Sequence, residues 1–160
     1  LMLSATGTQM IMNSYEAALA VMPQLAGFIP MLTGTGGNCG SQSSTLVIRG
    51  IAVEEIEFGD LFRVVWKEVR IAVCISLVLA VVNGIRILLM GQGDVLMALT
   101  IGLTMACTVI IAKVVGCTLP LVAKKVGLDP AIMATPLIST LVDISTISVY
   151  FAIVSTVFQL

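Results

Sequence analysis

IAVCISLVLAVVNGIRILLM, residues 71–90, is followed by GQGD at 91–94 and by VLMALTIGLTMACTVIIAKVVGC at 95–117. Each apolar run carries a single charged residue, Arg86 in the first and Lys113 in the second. A run of about 20 such residues crosses a hydrocarbon core ~30 Å thick as one helix. The Gly-Gln-Gly-Asp turn between them makes a short transmembrane hairpin.

The composition agrees along the whole chain. Of 160 residues, 58% are hydrophobic and 11% charged, with a mean hydropathy of +1.11, whereas soluble domains are about a quarter charged. The expected fold is therefore all-α, a polytopic transmembrane helix bundle. A net charge of -1 excludes the basic surface that nucleic acid binding needs. Cys39, Cys74, Cys107 and Cys117 show no CxxC spacing and read as small packing residues.

Outward from the hairpin, residues 54–70 hold eight charges in seventeen positions. Ile56, Leu61, Val64 and Val65 recur at helical spacing, so the stretch predicts an amphipathic helix on the membrane surface. Upstream lies a segment from about Leu25 to Ile51 with Pro30 and then Gly34, Gly36, Gly37 and Gly40. So many glycines predict a broken helix whose carbonyls line a water-filled path; close packing through small residues is the competing reading. The first segment runs to about Met22 and changes character near Asn13, Ser14 and Glu16. It opens on an apolar run at Leu1 without a charged flank, so it is expected to be a truncated helix and not a signal peptide. The last segment starts with Asp129 as N-cap and Pro130 at the first helical position. About five helices result.

Six of the eight basic residues, Arg49, Arg63, Lys67, Arg70, Lys124 and Lys125, fall in or beside two loops, which the positive-inside rule assigns to the cytoplasm. Arg86 then lies near the outer end of its helix. Lys113 is expected to snorkel toward the inner end of its own.

Asp143 stands alone in the last apolar segment. Twelve residues past Ala131, it lies about 18 Å into the ~30 Å core, near the midplane. An ionised carboxylate there needs water, a cation or a partner charge, which marks a functional site; a protonated Asp joining two helices is the alternative. Thr135, Ser139, Thr140, Thr146 and Tyr150 at helical spacings predict a wet face around it. Pro136 cannot donate to the carbonyl of Ile132 and frees an acceptor. With no His and no Cys cluster, the sequence lacks the ligands that soft or borderline transition metals prefer. One carboxylate with hydroxyls, an Asn and carbonyls suits a hard cation that keeps much of its water, as magnesium does.

The run Phe28-Ile29-Pro30 through Gly34-Thr35-Gly36-Gly37-Asn38-Cys39-Gly40-Ser41-Gln42-Ser43 resembles the second transmembrane helix of MgtE magnesium channels. Gly127-Leu128-Asp129-Pro130-Ala131, Thr135-Pro136-Leu137 and Asp143 resemble the last helix of that family. Glu16 and the acidic helix ending in Lys67-Glu68 fall where the family has similar residues. The resemblance implies a homodimer of five-helix subunits in the cell membrane, multi-pass and of a bacterial inner membrane. Its pore lies on the twofold axis, and hydrated Mg2+ is bound by Asp143, then by Ser139, Gly34 and Asn38. Thr135, Thr140, Thr146, Gly36, Gly37 and Gln42 would line the pore. It further implies that the family's cytoplasmic N-terminal and CBS regulatory domains lie outside these 160 residues, all of which form the pore domain.

The reading is then a passive magnesium channel and not an enzyme. A proton- or sodium-coupled carrier titrating Asp143 is the rival within transport, and a structural membrane subunit the rival outside it. An intramembrane hydrolase would need a His or a second deep acid, and neither is present.

Overall fold

The computed structural model describes residues 2–91 and 94–159, without the side chains of 3, 4 and 132–135. These residues fold as six α-helices: α1 (Met2–Ser14), α2 (Glu16–Val21), α3 (Ile29–Ala52), α4 (Leu61–Leu89), α5 (Val95–Lys125) and α6 (Pro130–Phe158). The all-α expectation holds, and no strand forms among the described residues. The count is six because the first predicted segment divides at Tyr15, beside the polar Asn13, Ser14 and Glu16.

Helix ends follow local chemistry. Asp94 caps α5 by accepting from the Met97 amide at 2.8 Å, and Asp129 caps α6 by accepting from the Ala131 amide at 2.8 Å. Pro130 occupies the first helical position of α6, where its missing N–H costs nothing. At the far end of α5, Gly127 takes φ +78°. Its amide donates to Lys124 O and that of Leu128 to Ala123 O, which is the Schellman closure that favours glycine. Gln92 and Gly93 of the predicted turn lie outside the described residues.

Two expectations are corrected. The Gly-rich segment is not broken: α3 runs unbroken through all four glycines. An interior glycine costs about 1 kcal/mol relative to Ala, but here the bare backbone is what lets three helices meet. A Cβ on Gly36 would stand 2.8 Å from Val142 Cγ1 and 2.9 Å from Thr108 Cγ2, and one on Gly40 2.9 Å from Ile138 Cγ2. The interruption comes earlier, at Met22 and the 3-10 turn Pro23–Phe28, with Pro30 tolerated in the first turn of α3. Nor is there a separate surface helix over 54–70. Residues 53–57 are loop and Phe58–Asp60 a 3-10 turn. From Leu61 the charged stretch becomes the opening turns of α4 and continues unbroken into the predicted span. Helix formation is cooperative, so extending an existing helix costs less than nucleating a second.

Helix α5 is the pillar, packing against α3, α4 and α6, while α3 also meets α6 and α1 lies on α6. The neighbours of Gly36 and Gly40 make α3 parallel to α5 and antiparallel to α6, and Gly102 against Ala80 makes α4 antiparallel to α5. This alternation puts Arg49, Arg63, Lys67, Lys124 and Lys125 at one end of the bundle, where Lys125 Nζ sits 3.9 Å above the Phe58 ring. The side of α4 away from α5 presents Val73, Leu77, Val78, Val81, Val82, Ile85, Leu88 and Leu89 outward. Together with three described helices long and apolar enough to span a bilayer, this makes the chain a membrane protein whose outer face is solvated by lipid.

A Cβ on Gly116 would overlap the backbone oxygen of Gly40. Gly116→Ala is therefore expected to push α3 off α5 and to destabilise the detergent-solubilised protein by about 1–3 kcal/mol. Gly34 has nothing within 4 Å of its Cβ position, so Gly34→Ala should melt no lower than the parent. Equal melting temperatures for the two variants would refute this account of the α3–α5 contact.

Candidate functional site

Asp143 occupies the middle of α6 on the boundary between two faces. Ile138, Val142, Thr146, Ile147 and Tyr150 are buried, Pro136, Leu141 and Ser148 are exposed, and Asp143, Ser139 and Thr140 lie half-buried between them. Ser139 precedes Asp143 by four residues, so both project on one side of the helix. Because Val142 abuts Gly36, Asp143 stands at the level of Gly36 on the antiparallel α3.

On α3 the polar residues divide sharply. Gly34, Asn38, Gln42 and Thr45 are exposed, at spacings of four, four and three that trace one face of the helix. A shallow depression of about 480 Å³ runs along this face, lined by Asn38, Ser41, Gln42, Thr45 and Leu46. Gly34 and Asn38 flank the level of Asp143 from either side. By this register Asp143 lies level with Gly36 and Gly37 and Ser139 one turn away toward Gly40, while the exposed Gly34, Asn38 and Gln42 spread over two turns of α3, with Gly37 half-buried between.

Other expected members lie elsewhere. Gly36 and Thr146 belong to the packed contact of α3 with α6, where the Thr146 hydroxyl would be 3.2 Å from a Cβ on Gly36. Tyr150 is not on a wet face: it is fully buried and its hydroxyl donates to Leu25 O at 2.9 Å. Thr140 is half-buried and donates to Pro136 O at 2.9 Å, satisfying its own helix. Thr135 has its side chain outside the described residues.

One polar group escaped the sequence reading. Lys113 does not snorkel: it is 3% exposed, and its Nζ donates to Glu68 Oε2 at 3.0 Å. The hydroxyl of Ser43 donates to the same oxygen. The signal was present, since a lone Lys in an apolar helix calls for an acid. Placing Glu68 on a surface helix hid its partner.

Among the described residues, no three His, Cys, Asp or Glu side chains gather as a metal cage. The candidate residues Asp143, Ser139 and Asn38 offer one carboxylate, one hydroxyl and one amide oxygen. Such a sparse oxygen set matches an ion that retains most of its water.

Comparison with known proteins identifies the family. The family model MgtE, described as a divalent cation transporter, matches residues 29–153, from the start of α3 to late in α6. The magnesium transporter MgtE of Thermus thermophilus is 33% identical over 157 residues, 96% of this chain and 34% of that protein. Its counterpart in Bacillus subtilis is 36% identical over 143 residues, 89% of this chain and 32% of that protein. The one from Enterococcus faecalis is 31% identical over 151 residues, 92% of this chain and 32% of that protein. The chain thus spans about a third of the length of these relatives. By the reach of that match across its packed helices and its polar face, the chain belongs to the MgtE family of divalent cation transporters.

Proposed function

We infer that the chain forms the ion-conducting part of a magnesium channel, a homodimer in a bacterial inner membrane with its pore on the twofold axis. The observation that carries this is the placement of Asp143. It is half-buried at mid-helix, level with Gly36 of α3, in a bundle whose α4 side is apolar. A carboxylate at that depth calls for water, a cation or a partner group, which marks it as a functional position. One carboxylate balances half of a divalent charge, and a second copy across a twofold axis supplies the rest.

In this reading a hydrated Mg2+ enters between the two α3–α6 pairs and is held by the Asp143 carboxylates. The Ser139 hydroxyl oxygen, the Asn38 amide oxygen and backbone carbonyl oxygen near Gly34 accept from the waters of its shell, and Gln42 continues the polar lining. Such contacts act largely through water, so each is weak and the ion can leave again. The membrane potential drives passage inward, worth about 4.6 kcal/mol for a divalent ion per 100 mV. The end carrying Arg49, Arg63, Lys67, Lys124 and Lys125 faces the cytoplasm.

Magnesium uptake into proteoliposomes under an imposed inside-negative potential tests the site. Asp143→Ala is expected to reduce uptake at least about a hundredfold, the scale of removing one charge-stabilising group, while the protein melts as before. Uptake that survives the substitution would move the site elsewhere. Uptake that persists at zero potential and follows an imposed pH gradient would identify a coupled carrier.

The dimer has its own test. With the four native cysteines replaced by Ala, Asn38→Cys should be joined between subunits by a bismaleimide able to span the width of a hydrated ion, a gap too wide for a direct disulfide, and Val81→Cys on the outer face of α4 should not. Cross-linking at Val81 and not at Asn38 would place the twofold axis on the wrong side of the bundle.

A further inference from the structure

Ser43, Glu68 and Lys113 come from α3, α4 and α5, and all are sealed from solvent at 0, 4 and 3% exposure. Both donors converge on one oxygen, Glu68 Oε2, Lys113 Nζ at 3.0 Å and the Ser43 hydroxyl. None of the three belongs to the polar face beside Asp143. A buried ion pair is weak evidence for stability, because desolvation offsets most of its attraction and an apolar pair often serves as well. What it adds is direction. Two charge-assisted bonds meeting at one oxygen from two helices are satisfied at one rotation and one axial setting.

That direction matters for α3 in particular. At Gly36 and Gly40 its contacts are made by bare backbone, which permits close approach but fixes rotation less than the interlocked side chains further along, such as Val47 against Cys117 and Leu121. Ser43 follows Gln42 directly, so their side chains project about 100° apart around the helix. Side chains reach ~5–6 Å from a helix axis, so a rotation of only about 20° would carry Asn38 sideways by ~2 Å.

We propose that Ser43, Glu68 and Lys113 are positioning residues for cation passage, fixing the rotation of α3 so that Gly34, Asn38 and Gln42 face the ion beside Asp143. The proposal rests on the pore reading above. Ser43 is the reporter of α3, Glu68 the shared acceptor, and Lys113 the donor that holds the Glu68 carboxylate in its orientation inside the bundle.

The test uses the full protein in proteoliposomes with three variants: Ser43→Ala, Ser43→Thr, and Glu68→Gln combined with Lys113→Met, which removes both charges and leaves neither buried alone. Magnesium uptake is measured beside a spin-label distance between Thr45→Cys on α3 and Leu103→Cys on α5. Labelled copies are diluted with unlabelled ones in a background without the native cysteines. Ser43→Ala and the double variant should shift the distance by ~1–2 Å, the scale of helix movements in switching proteins. Their uptake should fall about tenfold, within the losses that ~1 Å misplacements produce. Ser43→Thr keeps the hydroxyl and should restore both values.

An unchanged distance in variants that still melt cooperatively overturns the proposal, as does a shifted distance with unchanged uptake. If the double variant does not fold, Ser43→Ala decides alone, because it leaves the ion pair in place. Failure of the pore reading shows separately, as uptake indifferent to Asp143→Ala. It would withdraw the proposed role while leaving the distance shift standing.

Discussion

The contact of Gly40 with Gly116 brings the backbones of α3 and α5 together with no side chain between them, and the other helices take their places from it. With α3 and α5 this close and parallel, α6 settles against both through Ile138, Val142 and Thr146. Helix α4 is left to pack on the opposite side of α5. In lipid, helices gain little hydrophobic free energy by meeting, so close approach of small residues and dispersion must hold them. The five glycines of α3 each weaken the helix by about 1 kcal/mol, and that cost is offset where, as at Gly36 and Gly40, a Cβ would have kept a neighbour away.

Polar residues inside the bundle are handled by two different means. Thr100 and Thr104 on α5 return their hydroxyl hydrogens to Leu96 O and Thr100 O, at 2.7 and 2.9 Å, and so satisfy themselves without joining helices. Ser43, Glu68 and Lys113 instead satisfy one another across three helices. The first kind costs little and specifies little. The second is sensitive to where each helix stands, and it lies near the charged end, where α4 begins with Arg63 and Lys67.

The sequence made the spans, the hairpin, the caps at Asp129 and Pro130 and the candidacy of Asp143 legible, because each rests on one-dimensional information: apolar length, a turn, a cap, a lone charge. What it could not show depended on pairs. Glycine content argued for a broken α3, and the neighbours Val142, Thr108 and Ile138, which make the glycines an advantage, sit about seventy and a hundred residues away. Charge density argued for a surface helix over 54–70, although its second half continues into α4 and carries Glu68 inward to Lys113. Helical spacing alone grouped Thr146 and Tyr150 with Asp143. Burial separates them, because Tyr150 turns to Leu25 O and Thr146 to Gly36.

The packed and open faces of these helices differ by a single residue step. Val142 touches Gly36 and Gly40 while Asp143 beside it is half-buried; Ser43 reaches Glu68 while Gln42 beside it is exposed. Neighbouring residues on a helix project about 100° apart, so the candidate site is as precise as the packing and no more so. A substitution that loosens the contact by a small rotation displaces the polar face by a comparable arc, without touching any residue that meets the ion. In the proposed pore, that coupling would follow from placing a cation path on the same helices that hold the bundle together, and the buried contacts at Gly36, Gly40 and Ser43 would then bear on Asp143 without touching it.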